Sequence, residues 1–283
     1  MKIIRTIKQL QTFLNAARRL GKRIRFVPTM GALHEGHLSL IRAAKKEGGI
    51  VVVSIFVNPL QFGPKEDLSR YPRPLKQDQQ LLKKEGVHFL FCPDVKEVYP
   101  EENSVYVNEE EASRHWCGQY RPGHFKGVLT VVAKLFQMVN PDTAYFGQKD
   151  FQQLFLIEKM CRDLFFKTKI KRIPTVREKE GLALSSRNVF LSASQKKQAL
   201  GLVRGLRQIR QAYLNGITQA TKLKQVMSRV LREHPQLKIQ YLGFASKKNL
   251  KPVAQIQKGD VVLVAGFVGK TRLIDNWVVG EKI

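Results

Sequence analysis

The sequence predicts an α/β fold: a doubly wound, Rossmann-like parallel sheet followed by a second, smaller α+β domain. Three observations carry that expectation. Strand-like apolar runs alternate with amphipathic helical stretches through the first 175 residues. The runs are continuous instead of alternating with polar residues, as happens when helices cover both faces of a parallel sheet. After "PTVREKEG" the pattern changes to two helices and three strand-like pieces, which suits a small α+β unit.

Each element has its own signal. In "MKIIRTIKQLQTFLNAARRLGK", Thr6 and Gln9 form the pattern of a capping box that opens an amphipathic helix, and Gly21 stops it. "RIRFVPT" reads as a strand, Gly36 to Glu47 as a helix, "IVVVSIFVN" as a strand, Leu75 to Glu85 as a helix and "VHFLFCP" as a strand. A helix from Phe125 to Val139, the strand "TAYFG", a helix from Phe151 to Asp163 and "KIKRIPTV" complete a first domain expected over residues 1–175. In the second, 176–283, Ser192 and Gln195 cap a helix whose Ala199, Val203, Leu206, Ile209 and Tyr213 share one face before Asn215-Gly216 ends it. A helix from Gln219 to Arg232 and the strands "IQYLGFA", "DVVLVAGFV" and "TRLIDNWVVG" follow.

Composition narrows the function classes. A chain of 283 residues that is 43% hydrophobic can bury a sizeable core. Its longest apolar stretch, Ile50 to Val57, is far below the roughly 18 residues of a membrane span, so no membrane association is expected. The first residues lack the apolar core of an export signal, and Cys92, Cys117 and Cys161 fit neither a disulfide framework nor a zinc knuckle. The expectation is a cytoplasmic protein. With 49 Lys+Arg against 23 Asp+Glu the net charge is +26, which attracts nucleotides and other anions. Gly181 to Arg232 holds no acidic residue, yet its only aromatics are Phe190 and Tyr213. The stacking platform of a single-strand binder is missing, so nucleic acid is not the expected partner.

Ligands of open α/β sheets sit at the carboxyl ends of strands, where helix N-termini present free N–H groups to anions. "PTMGALHEGH" lies at such a place. Pro28 and Gly31 are expected to shape the turn and Gly36 to allow close backbone approach, with His34 and His37 facing one cavity on the first helical turn. There they can bond phosphate oxygens and offset charge that develops in a transition state. The i, i+3 spacing of "HEGH" departs from the i, i+4 of H-E-x-x-H, and no third metal ligand accompanies it; two structural histidines are the other reading.

Asn58 and Gln61 in "SIFVNPLQFG" either orient a small polar ligand or simply form a turn. In "YFGQKDFQQL", Lys149 is a candidate phosphate contact and Asp150 a ribose ligand or helix cap, with Gln153 one turn on; a solvated helix start is the alternative. "LALSSRN" offers two hydroxyls and the planar fork of Arg187 to a polyphosphate. "GFVGKT" has Val264 where the P-loop spacing needs glycine, and a strand follows it, so it reads as a hairpin turn.

In order and spacing, "PTMGALHEGH", "SIFVNPLQFG", "RPGHFKGV", "GQKDFQQL", "PTVRE", "LALSSRN" and "GKTRLIDN" closely resemble the pantothenate synthetase (pantoate–beta-alanine ligase) family of the HIGH-type nucleotidylyltransferase superfamily, across essentially the whole chain. The resemblance implies an ATP-dependent ligase. Pantoate attacks the α-phosphate of ATP to give pantoyl adenylate and pyrophosphate, and β-alanine then displaces AMP to give pantothenate. It implies His37 as the catalytic proton donor with His34 beside it, and an ATP site formed by Met30, Gly31, Ala32, Leu33, His34, Glu35, Gly36 and His37, by Gly147, Gln148, Lys149 and Asp150, and by Val176, Leu184, Ser185, Ser186 and Arg187. Lys149 and Arg187 would supply catalytic cations. Gln61 and Gln153 would hold pantoate, with Gln61 also near β-alanine.

Mg²⁺ accompanying ATP and a homodimer are further implications. The chain carries Gln148 where the family often has Glu, and fewer acids around Asp78 in "LKQDQQ", which leaves Mg²⁺ to phosphate oxygens and water. Another adenylyl transferase of the superfamily is the runner-up; Gln61 and Gln153 speak against a phosphorylated acceptor, which Arg or Lys would meet.

Overall fold

The structure, a computed structural model, describes residues 1–64 and 66–283. The strands are β1 (Lys2–Ile4), β2 (Ile24–Thr29), β3 (Ile50–Ile55), β4 (Phe89–Phe91), β5 (Thr143–Gly147), β6 (Lys169–Ile173), β7 (Leu237–Ala245), β8 (Val261–Val268) and β9 (Thr271–Val278). The helices are α1 (Ile7–Arg19), α2 (Glu35–Lys46), α3 (Leu75–Lys84), α4 (Val95–Val98), α5 (Cys117–Tyr120), α6 (His124–Val139), α7 (Phe151–Asp163), α8 (Ala193–Leu214) and α9 (Ala220–Leu231).

The chain divides into two compact units. The first holds 1–110, 121–148 and 153–174; the second holds 111–120, 149–152 and 175–283. The expected division into 1–175 and 176–283 lacks the two short segments of the N-terminal half. Their membership rests on partners remote in sequence. Trp116 donates its indole N–H to the Leu250 carbonyl at 2.8 Å, and its ring covers Gly243, where a Cβ would overlap it.

In the first unit six parallel strands lie in the order β1-β4-β3-β2-β5-β6. One face packs Val27, Val51, Val53, Leu90 and Tyr145 against Leu38, Ile41 and Ala44 of α2 and Leu82 of α3. On the other, Phe89 stacks on Phe13 of α1 and Phe26 meets Phe136 of α6 edge-on. Both faces are covered, which is why the strands read as continuous apolar runs. Short edge strand β1 has no such run, and its sequence suggests only the start of α1.

The order reverses at β2, whose neighbours are β3 and β5. Six residues of β2 are in register with β3, but the register with β5 stops at Phe26–Ala144. Pro28, expected in the turn, lies inside β2 beyond that point and has no N–H to offer β5. The carboxyl ends of β2 and β5 thus flank the switch point of the sheet, the place where doubly wound sheets bind ligands.

The second unit is the antiparallel sheet β7-β8-β9 with α8 and α9. Leu202, Leu206 and Ile209 of α8 and Leu223 and Met227 of α9 share a core with Val262, Val264 and Trp277. Ser192 and Gln195 cap α8 in both directions, at 3.0 and 3.2 Å. "GFVGKT" turns between β8 and β9, with Val268 opposite Thr271.

Candidate active site

The segment after β2 is held by a buried carboxylate. Thr29 Oγ1 donates to the Ser54 carbonyl at 2.7 Å and accepts the Gly31 N–H at 3.2 Å. Gly31 has φ +81°, and a Cβ there would lie 3.0 Å from both Asp78 Oδ2 and Ile55 Cγ2, so glycine is required twice over. Asp78 in α3 is 1% exposed and accepts the N–H groups of Ala32 at 2.9 Å and Leu33 at 2.8 Å. Burial raises its pKa while the two amide bonds oppose the rise. A cavity of about 280 Å³ with Met30, Gly31, Phe56 and Asp78 in its wall sits at the carboxyl ends of β2, β3 and β4.

His34 is the N-cap of α2, not its first turn, and His37 is its third residue. His34 Nδ1 accepts the Gly36 N–H at 3.1 Å and His37 Nδ1 accepts the His34 N–H at 3.4 Å, so the two imidazoles take the places that Ser and Glu fill in an ordinary capping box. Their ring centroids are 4.2 Å apart. With each Nδ1 accepting, the proton of each neutral ring sits on Nε2. Two Nε2–H donors thus stand at a helix N-terminus, whose partial positive charge adds to theirs. Glu35, between them, instead turns its carboxylate to Arg42.

Gln61 ends the single 3₁₀ turn Pro59–Gln61 after β3 and is 8% exposed. Its Oε1 accepts from Asn58 Nδ2 at 3.1 Å and its Nε2 lies 3.0 Å from Met30 Sδ. Asn58, 1% exposed, also donates to the Gly127 carbonyl at 3.0 Å and accepts from the Tyr99 hydroxyl at 2.8 Å. The Gln61 carbonyl accepts from His124 Nδ1 at 2.8 Å and from Arg121 at 3.3 Å. Arg121 in turn pairs with Glu66 at 2.5 Å. Burial works against the Glu66 carboxylate, but the Arg121 bonds outweigh it and hold its pKa below the usual range. The sequence marks Arg121 and His124 only through "RPGHFKGV", and Asp78 only through "LKQDQQ".

Gly147 closes β5 opposite Ile173, Gln148 begins the 3₁₀ turn Gln148–Asp150, and Gln153 lies in the first turn of α7. These three belong to the first unit with Met30–His37 and Gln61; Lys149, Asp150, Val176 and Leu184–Arg187 belong to the second. There, Lys149 Nζ is 3.5 Å from Asp150 Oδ1. The Val176 carbonyl accepts the Leu184 N–H at 3.0 Å, which brings these two candidates side by side. Ser185 Oγ accepts the Arg187 N–H at 3.3 Å and caps the 3₁₀ helix Ser186–Phe190. Among the described residues no group of three or more His, Cys, Asp or Glu is placed to hold a metal ion, and Asp78 uses both oxygens on backbone amides.

Known proteins resemble this chain along nearly its whole length. The pantoate-beta-alanine ligase family model matches residues 2–278. A pantothenate synthetase of Thermotoga petrophila is 50% identical over 280 residues, which cover 99% of this chain and 100% of that protein. The crystal structure of the Thermus thermophilus pantothenate synthetase superposes with a TM-score of 0.93 at 44% identity, covering 98% of this chain and 99% of that one. The pantoate-beta-alanine ligase of Francisella tularensis, crystallised with beta-gamma ATP and beta-alanine, gives a TM-score of 0.82 at 38% identity over 98% of this chain and 97% of its own. With the match running from Lys2 to Val278, through both units and every segment described above, the chain belongs to the pantoate-beta-alanine ligase family.

Proposed function

We propose that this chain joins pantoate to β-alanine at the expense of ATP, forming pantothenate through a pantoyl adenylate and releasing AMP and pyrophosphate. The observation that carries the reading is the histidine pair. A carboxylate meeting a triphosphate is an encounter of like charges, and two fixed Nε2–H donors at a helix N-terminus are what such a site needs near the phosphorus. His37 acts as proton donor with His34 beside it. Lys149 and Arg187 add permanent charge. Met30–His37, Gly147–Asp150, Val176 and Leu184–Arg187 bind the nucleotide, and the neutral amides of Gln61 and Gln153 orient pantoate beside the Met30 thioether, with Gln61 also bordering β-alanine.

Mg²⁺ bound to the phosphates would offset their charge. Residues 176–283 act as a lid that keeps water from the adenylate. By family resemblance the enzyme is a cytoplasmic homodimer.

The test is pyrophosphate release from ATP, D-pantoate and magnesium, with and without β-alanine. Release that requires pantoate and begins before β-alanine is added supports the adenylate; release that β-alanine alone triggers contradicts it.

A further inference from the structure

Lys149 stands on a 3₁₀ turn of three residues, Gln148–Asp150. The turn leads directly from β5 into α7, and a tie from far along the chain reaches it from β9. Asn276, 4% exposed, donates its side-chain amide to the Lys149 carbonyl at 2.8 Å. The preceding residue, Asp275, is equally buried and accepts two bonds from the Arg177 guanidinium, at 2.6 and 2.9 Å. A third bond, at 2.8 Å, comes to Asp275 from the Asn276 N–H.

Successive residues of a strand point to opposite faces. One face of β9 therefore grips the residue after Val176, and the other grips the peptide of Lys149. Gly181, whose carbonyl accepts from Arg177 at 3.1 Å, joins the same group at the turn that precedes Leu184. The separate nucleotide-binding segments of the second unit thus share one rigid strand. A buried amide at its centre is costly to leave unpaired.

We propose that Asn276 is a positioning residue for the adenylation step, acting through Lys149, with the Arg177–Asp275 pair as its support. The proposal rests on the reading of Lys149 as a cation at the phosphates. Asn276 touches the Lys149 backbone and sets where the ammonium group can reach; it bonds no substrate itself.

A double-mutant cycle on the full-length enzyme tests it, reading pyrophosphate release at saturating ATP over a range of pantoate concentrations. Asn276→Ala is expected to lower kcat by about tenfold, as loss of one buried hydrogen bond at a charged centre would, with the KM for pantoate unchanged. In a Lys149→Ala background the same substitution should alter the residual rate by less than about twofold. An equal loss in both backgrounds would mean a general structural role and overturns the proposal. If Lys149→Ala leaves the rate intact, the reading of Lys149 fails and this inference falls with it. Asn276→Ser, which keeps a short donor, is judged by the same criterion should the alanine variant not fold.

Discussion

Asp78 grips the Ala32 N–H at 2.9 Å from a side chain that is 1% exposed, so the segment after β2 depends on a charge contributed from α3. Asp78→Asn keeps the size but turns an amide N–H₂ toward one of the two backbone donors. Loss of one buried acceptor costs about 1–3 kcal/mol, reduced because the neutral side chain escapes the burial penalty that raises the Asp78 pKa. Urea midpoints should show a loss of about 1 kcal/mol, and adenylation should fall much further, since Met30 to His37 are released. Unchanged turnover would remove Asp78 from the site's support.

His34→Asn separates capping from chemistry. Asparagine is a good N-cap and its Oδ1 can replace Nδ1 as the acceptor for Gly36, while the Nε2–H donor is lost. Thermal stability should stay close to that of the parent, and pyrophosphate release should drop by about 10²-fold or more, the usual loss for one transition-state donor. His37→Ala should lose at least as much with the fold intact. Near-normal turnover in both variants would leave the pair as a structural cap alone.

How far the sequence announces this arrangement depends on the range of each interaction. The parallel sheet is legible because burial on both faces writes itself as unbroken apolar runs, as in Val51 to Val53. The capped helix starts at Thr6 and Ser192 are legible because the partners lie three residues apart. Strand β1 is not: three residues at a sheet edge, two of them exposed, carry no pattern. The tie between Trp116 and Gly243 and the Arg121–Gln61 contact span more than half a hundred residues each, and nothing local marks them. His34 as an N-cap eluded local reasoning because histidine is not a usual cap.

Gly127 places the pantoate candidate. A Cβ there would overlap the Leu60 carbonyl and come within 2.7 Å of the Gln61 amide nitrogen, so α6 approaches the 3₁₀ turn only because the residue is glycine. Gln61→Ala should raise the KM for pantoate by more than about tenfold and leave that for ATP nearly unchanged. Gly127→Ala should reproduce this selectivity by pushing the turn aside, with a stability loss of about 1–3 kcal/mol from overpacking. Paired Michaelis curves for ATP and pantoate read both variants; equal effects on the two substrates would count against Gln61 as a pantoate contact.

The Glu66–Arg121 pair gives the same turn a pH dependence whose sign can be worked out. Glu66 is ordinarily protonated near pH 4.5, and in the fold its pKa lies lower because the Arg121 bonds outweigh burial. A carboxylate with a depressed folded pKa contributes stability that is complete above its ordinary value and disappears as pH falls through the folded one. The thermal midpoint of the parent should therefore exceed that of Glu66→Gln at pH 7, and the gap should close as the pH drops below about 4.5. Arg121 also donates to the Gln61 carbonyl, so the KM for pantoate should rise across the same acid range in the parent, while in Glu66→Gln it starts higher and changes less. A gap that stays constant from pH 7 down to about pH 3.5 would show that the pair adds nothing through its charge, and that Arg121 serves Gln61 by hydrogen bonding alone.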